Sequence, residues 1–162
     1  MCWCSSAYCQ KLVKNDEYRF QLSLPQGFLL LPPDTTVQQP VELSYFNERE
    51  KIYVVITARK SRFTDIKSYL DCTKESLERD LQRYREDTTL RLVECRASKY
   101  YPGNTTVLHF TTRALYGRLN RCLIYFIHHR DEEIQVSFMY ADSRMQESIG
   151  IVEGIMQSLE LY

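Results

Sequence analysis

Three histidines and six cysteines are the residues in this 162-residue chain best suited to metal or nucleophilic chemistry. His128 and His129 are adjacent, and neighbours on a strand point to opposite faces, so the two cannot readily share one ion. His109 stands apart from both. There is no His-Glu-x-x-His, no Cys-x-x-Cys and no calcium loop, so neither a metal nor a cofactor is expected. Cys95 or Cys122 could meet His109 across neighbouring strands and give a thiolate nucleophile. The plainer expectation makes both of them small core hydrophobes. No Gly-x-Ser-x-Gly elbow occurs, and the five glycines build no phosphate-cradling loop. The chain is therefore expected not to be an enzyme.

Cys2, Cys4 and Cys9 crowd the start of the chain. Three thiols could hold a soft metal, but a closed site wants a fourth ligand, and none is close in sequence. Cys4-Ser5-Ser6 resembles the mature end of a bacterial lipoprotein, which makes Cys4 a candidate lipidation site. Only Met1, Cys2 and Trp3 precede it, so the apolar segment such processing needs is missing from the sequence in hand. Residues 1–17 are read as a leader or flexible segment, and residues 18–162 as a single domain.

Lysine plus arginine number 21, as do aspartate plus glutamate, so the net charge is zero. That balance argues against a broad double-stranded nucleic-acid footprint. One stretch departs from it. From residue 96 to residue 130 there are six basic residues and no acidic one, with tyrosines interleaved. Arginine and tyrosine combine large contact area with a polar end, the combination protein interfaces favour. Arg113, Arg118, Arg121, Tyr116 and Tyr125 are accordingly the candidate binding residues. The alternative is that the strand arginines cover the sheet edge or pair with the acidic helix faces.

The elements that must position these residues follow from periodicity. Tyr18, Phe20, Leu22 and Leu24 alternate with polar residues as a half-buried strand does. Further strands are predicted over 28–31, 41–46, 52–58, 90–99, 105–115, 121–129 and 133–140. The apolar run Tyr53-Val54-Val55-Ile56 predicts a central strand covered on both faces. Ile66, Tyr69, Leu70, Thr73, Leu77, Leu81 and Tyr84 recur at helical spacing, with charged residues on the opposite faces. A second helix closes the chain on a stripe of Met145, Ile149, Val152, Met156 and Leu159. Ser143 and Gln146 stand at capping-box spacing, and Gly150 and Gly154 would let this helix approach a sheet closely. No apolar window reaches 18 residues, so no transmembrane helix is predicted. The order is ββββ-α-ββββ-α. It implies an α+β fold, an α/β/α sandwich with a mainly antiparallel sheet.

The opening Tyr18-Arg19-Phe20-Gln21-Leu22-Ser23-Leu24-Pro25-Gln26-Gly27-Phe28 resembles the start of PsbP-like domains. The middle helix, the closing antiparallel strands and the ending Ile155-Met156-Gln157-Ser158-Leu159 are also similar to that family. The wider superfamily includes photosystem extrinsic proteins, Ran-binding Mog proteins, DcrB-type lipoproteins and Eag-type chaperones. The resemblance implies a domain that binds partners and does not catalyse. Three functional classes follow. The first is an adaptor or chaperone-like module with a protein partner. The second is an extracytoplasmic lipoprotein binding a small or anionic ligand, and the third a Cys/His enzyme. The compartment is cytoplasmic if no signal segment was removed, and otherwise periplasmic or membrane-anchored.

Overall fold

A computed structural model describes residues 10–32, 42–63, 67, 71, 75, 79, 91–100, 105–113 and 118–162. Of Arg91, Leu92, Val93, Cys95 and Arg113 it describes the backbone alone. Ten strands are formed by these residues: β1 (Lys11–Asn15), β2 (Phe20–Leu24), β3 (Phe28–Leu30), β4 (Glu42–Asn47), β5 (Ile52–Lys60), β6 (Arg91–Ala97), β7 (Thr105–Arg113), β8 (Leu119–His129), β9 (Glu132–Ala141) and β10 (Glu160–Leu161). A 3-10 turn, Asp142–Arg144, leads into the helix α1 (Met145–Gln157).

The strands form two sheets, ordered β3-β4-β5-β9-β8-β7-β6 and β1-β2-β10. Every pairing is antiparallel, as the short connections require for strands that follow one another in the chain; β5 with β9 and β2 with β10 are joined over long separations. The α+β class and the antiparallel sheet follow expectation, but the element order and the single-sheet sandwich do not. Two strands were missed. β1 lies in the segment read as a leader, where the adjacent Leu12 and Val13 hide the alternation and only Val13 is buried. β10 is two residues long. Both satisfy the open edges of β2, whose backbone groups would otherwise lack partners. The main domain thus reaches back to at least Lys11. Tyr18 does not open β2, because Arg19 takes a left-handed φ of 51° in the preceding turn.

The core lies between one face of the large sheet and the layer made by the small sheet and α1. Phe20, Leu22 and Leu24 of β2, Ile52, Val54 and Ile56 of β5, Val136 and Phe138 of β9, and Val152, Ile155 and Met156 of α1 fill it. The opposite face is more open than the apolar run in β5 suggested. Tyr53 is 40% exposed, so β5 is central in order but covered on one face at that point. The helix predicted over 66–84 falls mostly outside the described residues. Lys67, Asp71, Glu75 and Arg79 are helical and exposed, which places these four on one solvent face.

Candidate functional site

Strands β6, β7 and β8 extend beyond the area that α1 covers, leaving a cleft of about 280 Å³ between their core-side face and the helix. Cross-strand register builds its floor. Glu94 pairs with His109, His109 with Leu123, and Arg96 with Val107, which faces Tyr125. Tyr125 and Tyr140 line the floor at 4% and 2% exposure, while Met145 and Ile149 of α1 form the opposite wall. Tyr100 packs beside Tyr125 with ring centroids 6.2 Å apart, and its hydroxyl donates to the Glu153 carbonyl at 3.4 Å. Phe138 meets Tyr125 edge-on at 5.9 Å, holding that ring in place.

The rim is charged and balanced. Arg96 lies 3.2 Å from Glu94, and Lys99 lies 2.6 Å from Glu153 of α1. Arg121 Nε donates to Asp142 at 2.5 Å, and its Nη1 lies 3.1 Å from His109 Nε2. Arginine has donors only, so Nε2 accepts, and the neutral imidazole carries its proton on Nδ1. Burial and the Arg121 guanidinium both hold the His109 pKa below its ordinary value. Burial pushes the Tyr125 phenol up to about 12, so it stays protonated at neutral pH.

The sequence-derived candidates divide accordingly. Tyr125 lines the cleft, and Arg121 touches it through His109. Within the fold the Arg121 guanidinium bonds Asp142 through Nε and His109 through Nη1. Arg118 is exposed just before β8. Arg113 ends β7, where only its backbone is described, in register with Leu119. Tyr116 and Cys4 lie outside the described residues. The basic run is neutralised where its side chains are placed in the cleft, by Glu94, Glu153 and Asp142.

The Cys122–His109 pairing does not form. His109 shares the core-side face with Leu123, whereas Cys122 points to the other face, between Phe110 and Met139. Burial pushes its thiol up to about 11. Cys95 sits opposite Leu108, one position along from the partner of His109. His128 and His129 stand opposite Glu133 and Glu132 on alternate faces, as expected. No cluster able to hold a metal ion occurs among the described residues.

Sequence reasoning missed Met145 and Ile149 by assigning them to the core stripe of α1. The helix buries Ser148, Val152, Ile155 and Met156 instead, and leaves Met145 39% and Ile149 36% exposed. The available signal was Ser148, which a Met145–Ile149 stripe would place beside the core edge. The expected capping box is absent too, because Ser143 lies within the 3-10 turn and Arg144 is the N-cap, with no side-chain cap bond.

No family model matches the chain, and no curated protein matches it in sequence. Solved structures do. The solution structure of cyanobacterial PsbP (CyanoP) from Synechocystis sp. PCC 6803 superposes with a TM-score of 0.69 at 11% identity, covering 100% of this chain and 98% of that one. LpqN, involved in cell envelope biogenesis of Mycobacterium tuberculosis, gives 0.59 at 12% identity, over 94% and 90% of the two chains. PA94 of Pseudomonas aeruginosa, a protein of unknown function and putative regulator, gives 0.54 at 15% identity, over 94% and 97%. The chain therefore has a PsbP-like fold.

Proposed function

We propose that this chain is a non-catalytic binding domain that holds a partner protein against the cleft between β6–β8 and α1. The observation that carries this reading is the exposure of Met145 and Ile149 directly opposite a tyrosine floor. Methionine, isoleucine and tyrosine brought together at a concavity are what a docking surface uses. The cleft holds only a side chain or two, so the partner's remaining contacts fall on the surrounding rim. Paired rim charges favour this reading over capture of an anionic ligand, since Arg96 and Lys99 already have carboxylate partners. LpqN's part in cell envelope biogenesis supports an envelope-associated setting. Cys4 is the residue through which a lipid tether would act.

Native mass spectrometry of the protein recovered from its own cells tests both parts. A co-eluting polypeptide is expected with the wild type and is expected to be lost from a Met145→Asp/Ile149→Asp variant. Retention of the same partner by that variant would overturn the site. An acyl-sized increment on the amino-terminal peptide is expected if Cys4 is a tether, and an unmodified peptide counts against it.

A further inference from the structure

We infer that the floor of this cleft recognises an uncharged peptide unit bearing a large apolar side chain. The inference rests on the binding reading above and narrows it to the partner's chemistry. Tyr125 and Tyr140 are more than nine-tenths buried as residues and line the cleft, where their hydroxyls form no hydrogen bond with the described residues and are not among the sealed, unpaired polar atoms. Hydroxyls open to a cleft and not engaged by the protein are available to a ligand group that can pair them. His109 adds a third group. Its Nε2 is taken by Arg121, so Nδ1–H is the remaining donor on the ring.

These three groups fit an amide. A phenol both donates and accepts, so the two tyrosines serve a carbonyl and an N–H alike, and His109 serves a carbonyl. The balance of charge favours an uncharged ligand over the ionised alternatives. Glu94 with Arg96, and Glu153 with Lys99, leave the lining formally neutral, and Asp142 compensates Arg121. A carboxylate or an ammonium entering here would be desolvated without a free counter-charge. Leu123, Met145 and Ile149 supply the apolar walls for the side chain. At about 280 Å³ the space lies at the small end of ligand pockets, suited to a single residue of an extended segment.

The test titrates the ¹⁵N-labelled full chain at pH 7 with N-acetyl-L-phenylalaninamide, N-acetyl-L-phenylalanine and L-phenylalaninamide, following the amide signals of β6–β8 and α1. The uncharged amide is expected to bind at least about tenfold more tightly than either charged analogue. Tyr125→Phe and Tyr140→Phe are each expected to weaken it by about 3- to 10-fold, the worth of one hydrogen bond, with the signals of β1–β5 unmoved. Tighter binding of the carboxylate, or unchanged affinity in both phenylalanine variants, overturns the inference. If no probe shifts the cleft while Met145→Asp/Ile149→Asp still abolishes partner capture, amide recognition fails and docking stands. If the probes bind as expected but that double variant keeps its partner, the subsite stands and protein capture at the cleft fails.

Discussion

His109 and Arg121 show how a single contact sets the chemistry of a side chain. Arg121, held by Asp142, faces the imidazole and makes the protonated ring unfavourable, adding to the effect of burial. His109 is therefore expected to titrate below the ordinary histidine value of 6.5, and above its midpoint the neutral ring carries its proton on Nδ1. Arg121→Gln is expected to raise its midpoint, and histidine ring NMR reads both outcomes. His129 is also held low, by burial first and by Arg130 next. For both residues the unfolded chain takes up protons before the folded one. Stability is thus expected to be full above about pH 6.5 and to fall as the pH drops towards the folded-state values. Urea midpoints at pH 7.0 and 5.5 measure this, and an unchanged midpoint would count against both shifts. Cys122, with its thiol pushed up to about 11, is expected to escape alkylation by iodoacetamide at pH 8 in the folded protein and to react after denaturation. Peptide mapping separates it from the other five cysteines.

Among the elements, α1 departs most from the sequence pattern. Gly150 and Gly154 were expected to permit close approach to a sheet, but both are exposed, and a Cβ at either would meet nothing within 4 Å. They weaken the helix without a packing return. Gly150→Ala and Gly154→Ala are each expected to stabilise the protein by about 0.5–1 kcal/mol, measured by chemical denaturation. At its other end α1 is tied to the small sheet. The Ser158 hydroxyl accepts from Ser23 N at 2.8 Å and donates to the Ile155 carbonyl at 2.7 Å, so β2 and the helix end share one group. Ser158→Ala is expected to cost about 1 kcal/mol. It should leave the cleft signals in place.

At the scale of the molecule, Glu132 joins the two sheets. It is fully buried at the start of β9, and its Oε1 lies 3.1 Å from Lys60 Nζ at the end of β5 and 3.6 Å from Arg19 Nε in the β1–β2 turn. Lys60 and Arg19 keep much of their solvent contact, whereas Glu132 keeps none. Removing the acid leaves two solvated cations, but removing both cations leaves a buried carboxylate without compensation. The Arg19→Met/Lys60→Met double variant is therefore expected to lose more stability than Glu132→Gln. The reverse order in denaturant midpoints would sink this account of how the sheets are held together.

The period-2 alternation in β2 and β9, the short turns between β6 and β9, and the amphipathic closing segment are local properties, and with them the sequence by itself determined most of the strands, the antiparallel pairing of those that follow one another, and the α+β class. The opening from Tyr18 to Phe28 also pointed to the PsbP-like fold that the superposition bears out. Tertiary structure alone decided the rest. Whether Met145 and Ile149 are core or cleft depends on how much of the large sheet α1 covers, which no periodicity records. Whether Arg121 is free depends on Asp142, 21 residues away and brought alongside only by the β8–β9 pairing. Cys122 and His109 were separated by strand register, since a shift of one residue exchanges faces. The small sheet brought together β1, β2 and β10 from the two ends of the chain because β2 had two edges to satisfy, a demand made by backbone hydrogen bonding across the whole fold.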